Sequence, residues 1–200
     1  MTPLFERVKA LGGHIIAFVD DLTIYCHGKP AQTVPLLEKL LQECVDWAAT
    51  RHTSIDLGPK LGFIHFTRSK MPTGRLRLRL PNGQYKEEDK VVKLLGIYLD
   101  SGLTFKEHIN RTIRKARQTA YQLGRIGGQG KGVPGAVLRQ LYQACVIPIL
   151  TYGVQVWGHK CTKGQSNKME QVQNMALKHI LGAITGTPET LQVEAGIPSL

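Results

Sequence analysis

Asp20 and Asp21 are adjacent carboxylates set between two apolar, β-favouring runs, residues 14–19 and 22–26. A strand pair with a tight turn at the two aspartates is the simplest arrangement that buries both runs, and it places both carboxylates at the tip of a hairpin. Like charges this close raise one another's proton affinity, a cost that a cation between them relieves. Hard divalent ions such as Mg²⁺ take carboxylate oxygens and leave other positions to water and phosphate, so the pair reads as a Mg²⁺ phosphoryl-transfer site. Two other readings stay open. Asp-Asp is also ordinary chemistry for a solvated turn. A phospho-receiver domain, with Asp56 as the later aspartate, would need a helix soon after the pair, where residues 22–26 read instead as a second strand.

The second chemical signal is positive charge. The 200 residues carry a formal net charge of +11. Between Lys60 and Lys131 there are 16 Lys and Arg against 5 Asp and Glu, and the rest of the chain has 10 of each sign. One segment therefore holds the whole surplus, the pattern of a surface for a polyanion such as nucleic acid. A merely solvated basic surface is the plainer reading. Cys26, Cys44, Cys145 and Cys161 lie far apart with no C-x-x-C pair, so neither a disulfide framework nor a standard zinc knuckle is expected. They read as reduced thiols of an intracellular protein. No run of about 18 apolar residues and no signal-peptide pattern occurs, so a soluble protein without a membrane span is expected and its compartment is unspecified.

The elements that would position these residues follow from hydrophobic period. Leu4, Phe5, Val8 and Leu11 have helical spacing and are stopped by Gly12-Gly13. The hairpin occupies 14–26, and a helix is expected over about 32–51 with Leu37, Leu40, Leu41, Cys44, Val45 and Ala48 on one face. A turn at Gly58-Pro59-Lys60 should lead to a strand at 63–66. Residues 75–80 alternate Arg and Leu, which puts three arginines on one face of a strand, and Pro81-Asn82-Gly83 supplies a turn. Residues 91–100 read as a strand or tight strand pair. From Thr104 the period becomes helical: Phe105, Ile109, Ile113, Ala116, Ala120 and Leu123 form an apolar stripe, while Lys106, Arg111, Arg114, Lys115, Arg117 and Arg125 cover the rest. A helix basic on its open face can lie along a phosphate backbone. The glycine-rich stretch 127–135 is no Walker loop, because no Ser or Thr follows Lys131, and it reads as a flexible link. Helices are expected over 134–146, with a continuation kinked at Pro148, over 166–182 with Met169, Val172, Met175, Ala176 and Ile180 inward, and from Pro188. The plan is α+β, with an all-helical second half beginning near residue 103.

These residues carry a resemblance. Phe18-Val19-Asp20-Asp21 resembles the aromatic-x-Asp-Asp signature of reverse transcriptases, and residues 94–100 resemble their primer-grip strand. Blocks 63–68, 103–109 and 149–157 are similar, more narrowly, to non-LTR (LINE-type) retrotransposon polymerases. The tail, 173–183 followed by Thr187-Pro188 and 193–198, is similar to the segment that precedes an RNase H domain in these elements.

The resemblance implies a partial palm over 1–103, a thumb helix and link over 104–132, and a helical connector over 133–200. It implies that Asp20 and Asp21 hold catalytic Mg²⁺ and that Lys60 stands where a lysine protonates departing pyrophosphate, although the family's Lys-Thr is Lys60-Leu61 here. Leu95, Gly96 and Ile97 would hold the primer end, and Lys106, Arg111, Arg114, Lys115 and Arg117 the RNA template and DNA primer. The implied reaction is attack of a primer 3′-hydroxyl on a dNTP α-phosphate across two metals. That mechanism needs a further aspartate and the nucleotide-binding fingers, expected before residue 1, so the chain is expected to be inactive alone unless a missing amino-terminal polymerase part associates with it. A non-catalytic nucleic-acid-binding remnant is the alternative. A decayed reading frame, with an exposed sheet edge prone to aggregation, is a third.

Overall fold

The computed structural model describes residues 2–67, 75–127 and 132–199. Helices and short antiparallel strand pairs give the α+β class expected. The chain divides into two compact units, Met1–Val92 and Lys93–Leu200.

In the first unit, α1 (Thr2–Ala10) and α2 (Pro30–Thr50) pack with the hairpin β1 (His14–Phe18) and β2 (Asp21–Tyr25). Alternation along the strands decides which side chains meet the helices. Ile15 pairs with Ile24 and Ala17 with Leu22. Ile15, Leu22 and Ile24 pack against a cluster formed by Leu4, Val8, Leu40 and Cys44. The opposite face carries Ile16 and Phe18, both exposed. A second cluster forms from Leu41 of α2 with Phe63, Leu78 and Leu80. Leu78 and Leu80 come from the Arg-Leu alternation, of which β3 (Arg77–Arg79) is the paired part, and Arg75, Arg77 and Arg79 face solvent as expected. Its partner β4 (Tyr85–Glu87) lies where the sequence suggested only a charged stretch. Arg75 and Arg77 both reach Glu87, at 3.5 and 3.1 Å, so cross-strand ion pairs accompany a strand that apolar period could not reveal.

The turn of the first hairpin is centred on Val19-Asp20, not Asp20-Asp21. Pairing of Phe18 with Asp21 leaves Val19 and Asp20 as the two turn residues, and Asp21 opens β2. Val19 has φ 55, a left-handed conformation that the turn imposes on a β-branched residue. Residues 63–66 are not a strand. The Phe63 N–H donates to the Asp89 carboxylate at 2.9 Å and its carbonyl accepts from the Asp89 N–H at 2.7 Å. A single paired residue cannot seed a ladder.

β5 (Val91–Leu94) and β6 (Ile97–Asp100) form a hairpin whose turn residues, Leu95 (φ 46) and Gly96 (φ 85), are both left-handed. That is the pattern favoured in two-residue hairpins. Asp100 then organises the entry to α3 (Lys106–Ile126). Its carboxylate accepts from the N–H groups of Gly102, Thr104 and Phe105 at 3.2, 3.0 and 2.7 Å and from the Thr104 hydroxyl at 3.1 Å. Leu103 and Phe105 both sit at positive φ in this entry, so the carboxylate fixes a backbone path that their side chains disfavour. Burial alone would push the Asp100 carboxyl up, but these hydrogen bonds hold it below the usual carboxylate range. Asp100→Asn should therefore cost about 1–2 kcal/mol, the size of a lost helix cap. Because the folded carboxyl is depressed, this stabilisation is fully present above the unfolded value near about pH 4 and is lost as pH falls through the folded one. Urea unfolding at a series of pH values checks this: the gap between wild type and Asp100→Asn should close in acid. A gap that persists there would show that charge is not its origin.

The rest of the second unit is helical: α4 (Gly135–Cys145), α5 (Ile147–Thr151), α6 (Val154–Trp157), a 3-10 turn Gly158–Lys160, α7 (Lys163–Leu181) and α8 (Pro188–Ala195). The expected kink near Pro148 is an interruption at Val146, whose backbone stays α-helical and whose N–H still reaches the Tyr142 carbonyl at 2.9 Å. α4 ends at Cys145, Val146 intervenes, and Pro148 enters the first turn of α5, where its missing N–H is harmless. Of the glycine-rich link, residues 128–131 lie outside the described residues, as does Arg68 of block 63–68. Ile109, Ala116, Ala120, Tyr142, Leu150, Trp157, Val172 and Leu177 make one core. α7 is bounded by a reciprocal capping box between Thr162 and Gln165 and by left-handed Gly182. Gln173, fully buried, accepts from the Tyr142 hydroxyl at 3.2 Å and donates to the Pro198 carbonyl at 2.8 Å. Burial pushes the Tyr142 phenol up to about 12, so it remains a donor. No helix among the described residues is long and apolar enough to cross a membrane.

Candidate nucleic-acid interface

The two sets of candidate residues fall in different units. Asp20 and Asp21 stand at the β1–β2 turn and are exposed, with no ion pair among the described residues. Lys60 is exposed on its own turn, closed by a hydrogen bond from the Leu61 N–H to the Gly58 carbonyl at 3.0 Å. The aspartate pair has the hard oxygen donors that Mg²⁺ prefers. It is also short of donors: among the described residues no group of three or more His, Cys, Asp and Glu is placed to hold a metal.

The second unit assembles the remaining candidates. The tip of the β5–β6 hairpin, Leu95-Gly96-Ile97, is held by Tyr152 and Gly153, the two residues between α5 and α6. The Tyr152 hydroxyl donates to the Leu95 carbonyl at 2.7 Å, and a Cβ at Gly96 would stand 3.0 Å from the Tyr152 ring. Gly153, at φ 64, lets Ile97 approach so closely that a Cβ there would lie 2.7 Å from its Cδ1. The Trp157 indole N–H in turn donates to the Tyr152 carbonyl at 2.8 Å. On β6, the Tyr98 N–H donates to Nδ1 of buried His108 at 3.4 Å. His108 packs edge-on to Trp157, and burial holds its imidazole below the ordinary value. Sequence reasoning placed Tyr152 and His108 inside motif blocks without giving either a role. An aromatic followed by glycine, just before a tryptophan, was the available signal.

α3 presents the basic surface. Its buried side is Ile109, Thr112, Ile113, Ala116 and Ala120, so the 3.6-residue period sends Lys106, Arg111, Arg114, Lys115, Arg117 and Arg125 to the exposed side. Arg111 is partly spent within the fold. Its Nε pairs with Glu107 at 2.6 Å, and its guanidinium lies 4.6 Å from the Tyr98 ring centre, where Lys93 also approaches at 6.0 Å. Lys106, Arg114, Lys115, Arg117 and Arg125 are in no ion pair among the described residues. Glu107 is the one acidic residue on the helix. The exposed face is thus an uncompensated row of cations on a rigid support, suited to phosphates and of little use for self-stabilisation.

The chain is similar to a probable RNA-directed DNA polymerase from transposon BS of Drosophila melanogaster, with 34% identity over 106 residues, which is 53% of this chain and 11% of the relative. It is 24% identical over 170 residues to the RNA-directed DNA polymerase from mobile element jockey of Drosophila funebris, covering 84% of this chain and 18% of that protein. The third similarity is to a retrovirus-related Pol polyprotein from type-1 retrotransposable element R1 of Nasonia vitripennis, 23% identical over 207 residues, covering 98% of this chain and 60% of that one. The resemblance read from the motifs is borne out: the curated relatives are RNA-directed DNA polymerases of non-LTR retrotransposons. The chain spans between about a tenth and three fifths of their length. No family model matches it, and no solved structure does.

Proposed function

We propose that this chain is a segment of a non-LTR retrotransposon RNA-directed DNA polymerase, comprising part of the palm, the thumb and the connector, and that it holds an RNA template and DNA primer through α3. The observation that carries the reading is the uncompensated basic face of α3, in a chain whose curated relatives are RNA-directed DNA polymerases. In this reading Lys106, Arg111, Arg114, Lys115 and Arg117 take backbone phosphates, and the β5–β6 tip at Leu95, Gly96 and Ile97 steadies the primer end. Tyr152 and His108 position that tip without touching the nucleic acid.

Asp20 and Asp21 would hold Mg²⁺, and Lys60 would approach the departing phosphate. Bound Mg²⁺ supplies Lewis-acid charge to a phosphoryl transfer that uses dNTP. Two carboxylates do not complete such a site, so this chain by itself binds without polymerising: positioning and charge stabilisation are the bulk of the catalysis, and both are incomplete here. An association with the remaining amino-terminal part of the polymerase would supply them. The second reading, a nucleic-acid-binding remnant without chemistry, is favoured by the same shortage of metal donors.

The test is primer extension on poly(rA)/oligo(dT) with Mg²⁺, beside salt-titrated binding of the same duplex. Salt-sensitive binding without extension is the expected result, with Asp20→Ala binding as wild type does. Extension abolished by Asp20→Ala would overturn the account of an incomplete site, and no binding at low salt would overturn the reading of α3.

A further inference from the structure

One aromatic side chain interrupts the basic row. Arg114, Arg117, Tyr121 and Arg125 follow one another at intervals of three and four along α3. Those intervals keep the four within about 80° of arc and spread them over about 16 Å of helix axis. Tyr121 is 60% exposed, and no described ring or cation lies against it. Tyr98 differs: its ring is already occupied by Arg111 and Lys93. The Tyr121 ring thus contributes nothing to the core of its own unit, and it projects from the middle of three guanidinium groups that are in no ion pair among the described residues.

We propose that Tyr121 is a stacking platform for an unpaired nucleobase, so that α3 takes single-stranded nucleic acid as well as duplex. This rests on the reading of α3 as a nucleic-acid surface and adds a partner class to it. The flanking arginines take phosphates, and the ring takes the face of one base. Every base has a π-face, so such a contact tolerates any sequence, and positive charge around the ring keeps the backbone within reach. Paired bases inside a duplex have both faces covered by their neighbours. Stacking on Tyr121 therefore distinguishes single strands from duplex, whereas the arginines alone do not.

The experiment is fluorescence-anisotropy binding of labelled oligo(dT) and of a long blunt duplex, whose ends are few, to wild type, Tyr121→Leu, Tyr121→Phe and Arg114→Glu at one low salt concentration. Tyr121→Leu should weaken oligo(dT) binding about tenfold, the size of one lost base stack, and leave duplex binding within about twofold. Tyr121→Phe should bind both as wild type does. If Tyr121→Leu changes neither ligand, or weakens both equally, the stacking proposal is overturned. A loss on both ligands for Arg114→Glu in that case keeps the basic surface and removes only the platform. If Arg114→Glu also changes nothing, the surface reading falls and the platform with it.

Discussion

Reversing Arg114, Lys115 and Arg117 together to glutamate weakens binding of an RNA/DNA duplex by about a hundredfold or more, while α3 stays folded. Each exposed contact between a cation and a phosphate is worth up to about 1 kcal/mol, and reversal replaces attraction with repulsion. Salt dependence is the sharper readout. Three phosphate contacts removed flatten the slope of log K against log salt by about 2.7, at roughly 0.9 for each contact on duplex. The fold tolerates the change because the three side chains are exposed, sit in no described ion pair and lie outside the buried stripe of Ile109, Ile113, Ala116 and Ala120. Anisotropy titrations at several salt concentrations, with circular dichroism as the fold control, measure it. An unchanged slope would mean that phosphates are held elsewhere. Asp20→Ala, in the other unit, should leave the slope untouched.

Trp157→Ala costs the second unit about 4 kcal/mol, a large part of the stability of a typical domain. Trp157 is 2% exposed, is the largest fully buried side chain among the described residues of its unit, and satisfies the Tyr152 carbonyl through its indole N–H. Its removal leaves a cavity beside His108 of α3 and Gly153, and frees Tyr152, the residue that holds the β5–β6 tip. Trp157→Phe retains most of the ring but no donor, so it should cost about 1–2 kcal/mol. Urea unfolding followed by hydrogen exchange in α3 separates this unit from the first. If Trp157→Ala unfolds within about 1 kcal/mol of wild type, the packing account of this core is wrong.

Sequence reached the parts of the molecule whose cause is local. The α3 stripe was legible because one face is apolar and the other charged over six turns. The β1–β2 hairpin was legible because two apolar runs flank polar residues, yet its turn was misplaced by one residue, since register follows from which side chains meet α1 and α2. β4 escaped because Tyr85, Lys86 and Glu87 carry no apolar period, and its pairing is set by partners in β3. Residues 63–66 have strand-like composition, but among the described residues the backbone pairing is that of Phe63 with Asp89. At the candidate site, the aspartates and the basic row could be read from type and spacing. Tyr152 and Asp100 could not: what they do is decided by backbone groups that sequence does not display.

The Tyr152 contact also has a cost in time. Its hydroxyl bonds a carbonyl 57 residues earlier in the chain, and Trp157, which fixes Tyr152, is made later still. At about 5–20 residues per second, a ribosome extends the chain for about 3–11 s between making Leu95 and making Tyr152. During that interval the hairpin has only its own two strands, which are marginal in water, and a two-stranded ribbon with open edges is a template for other strands. Correct synthesis of this chain therefore depends on keeping the nascent β5–β6 ribbon from pairing wrongly until the helices that clasp it emerge.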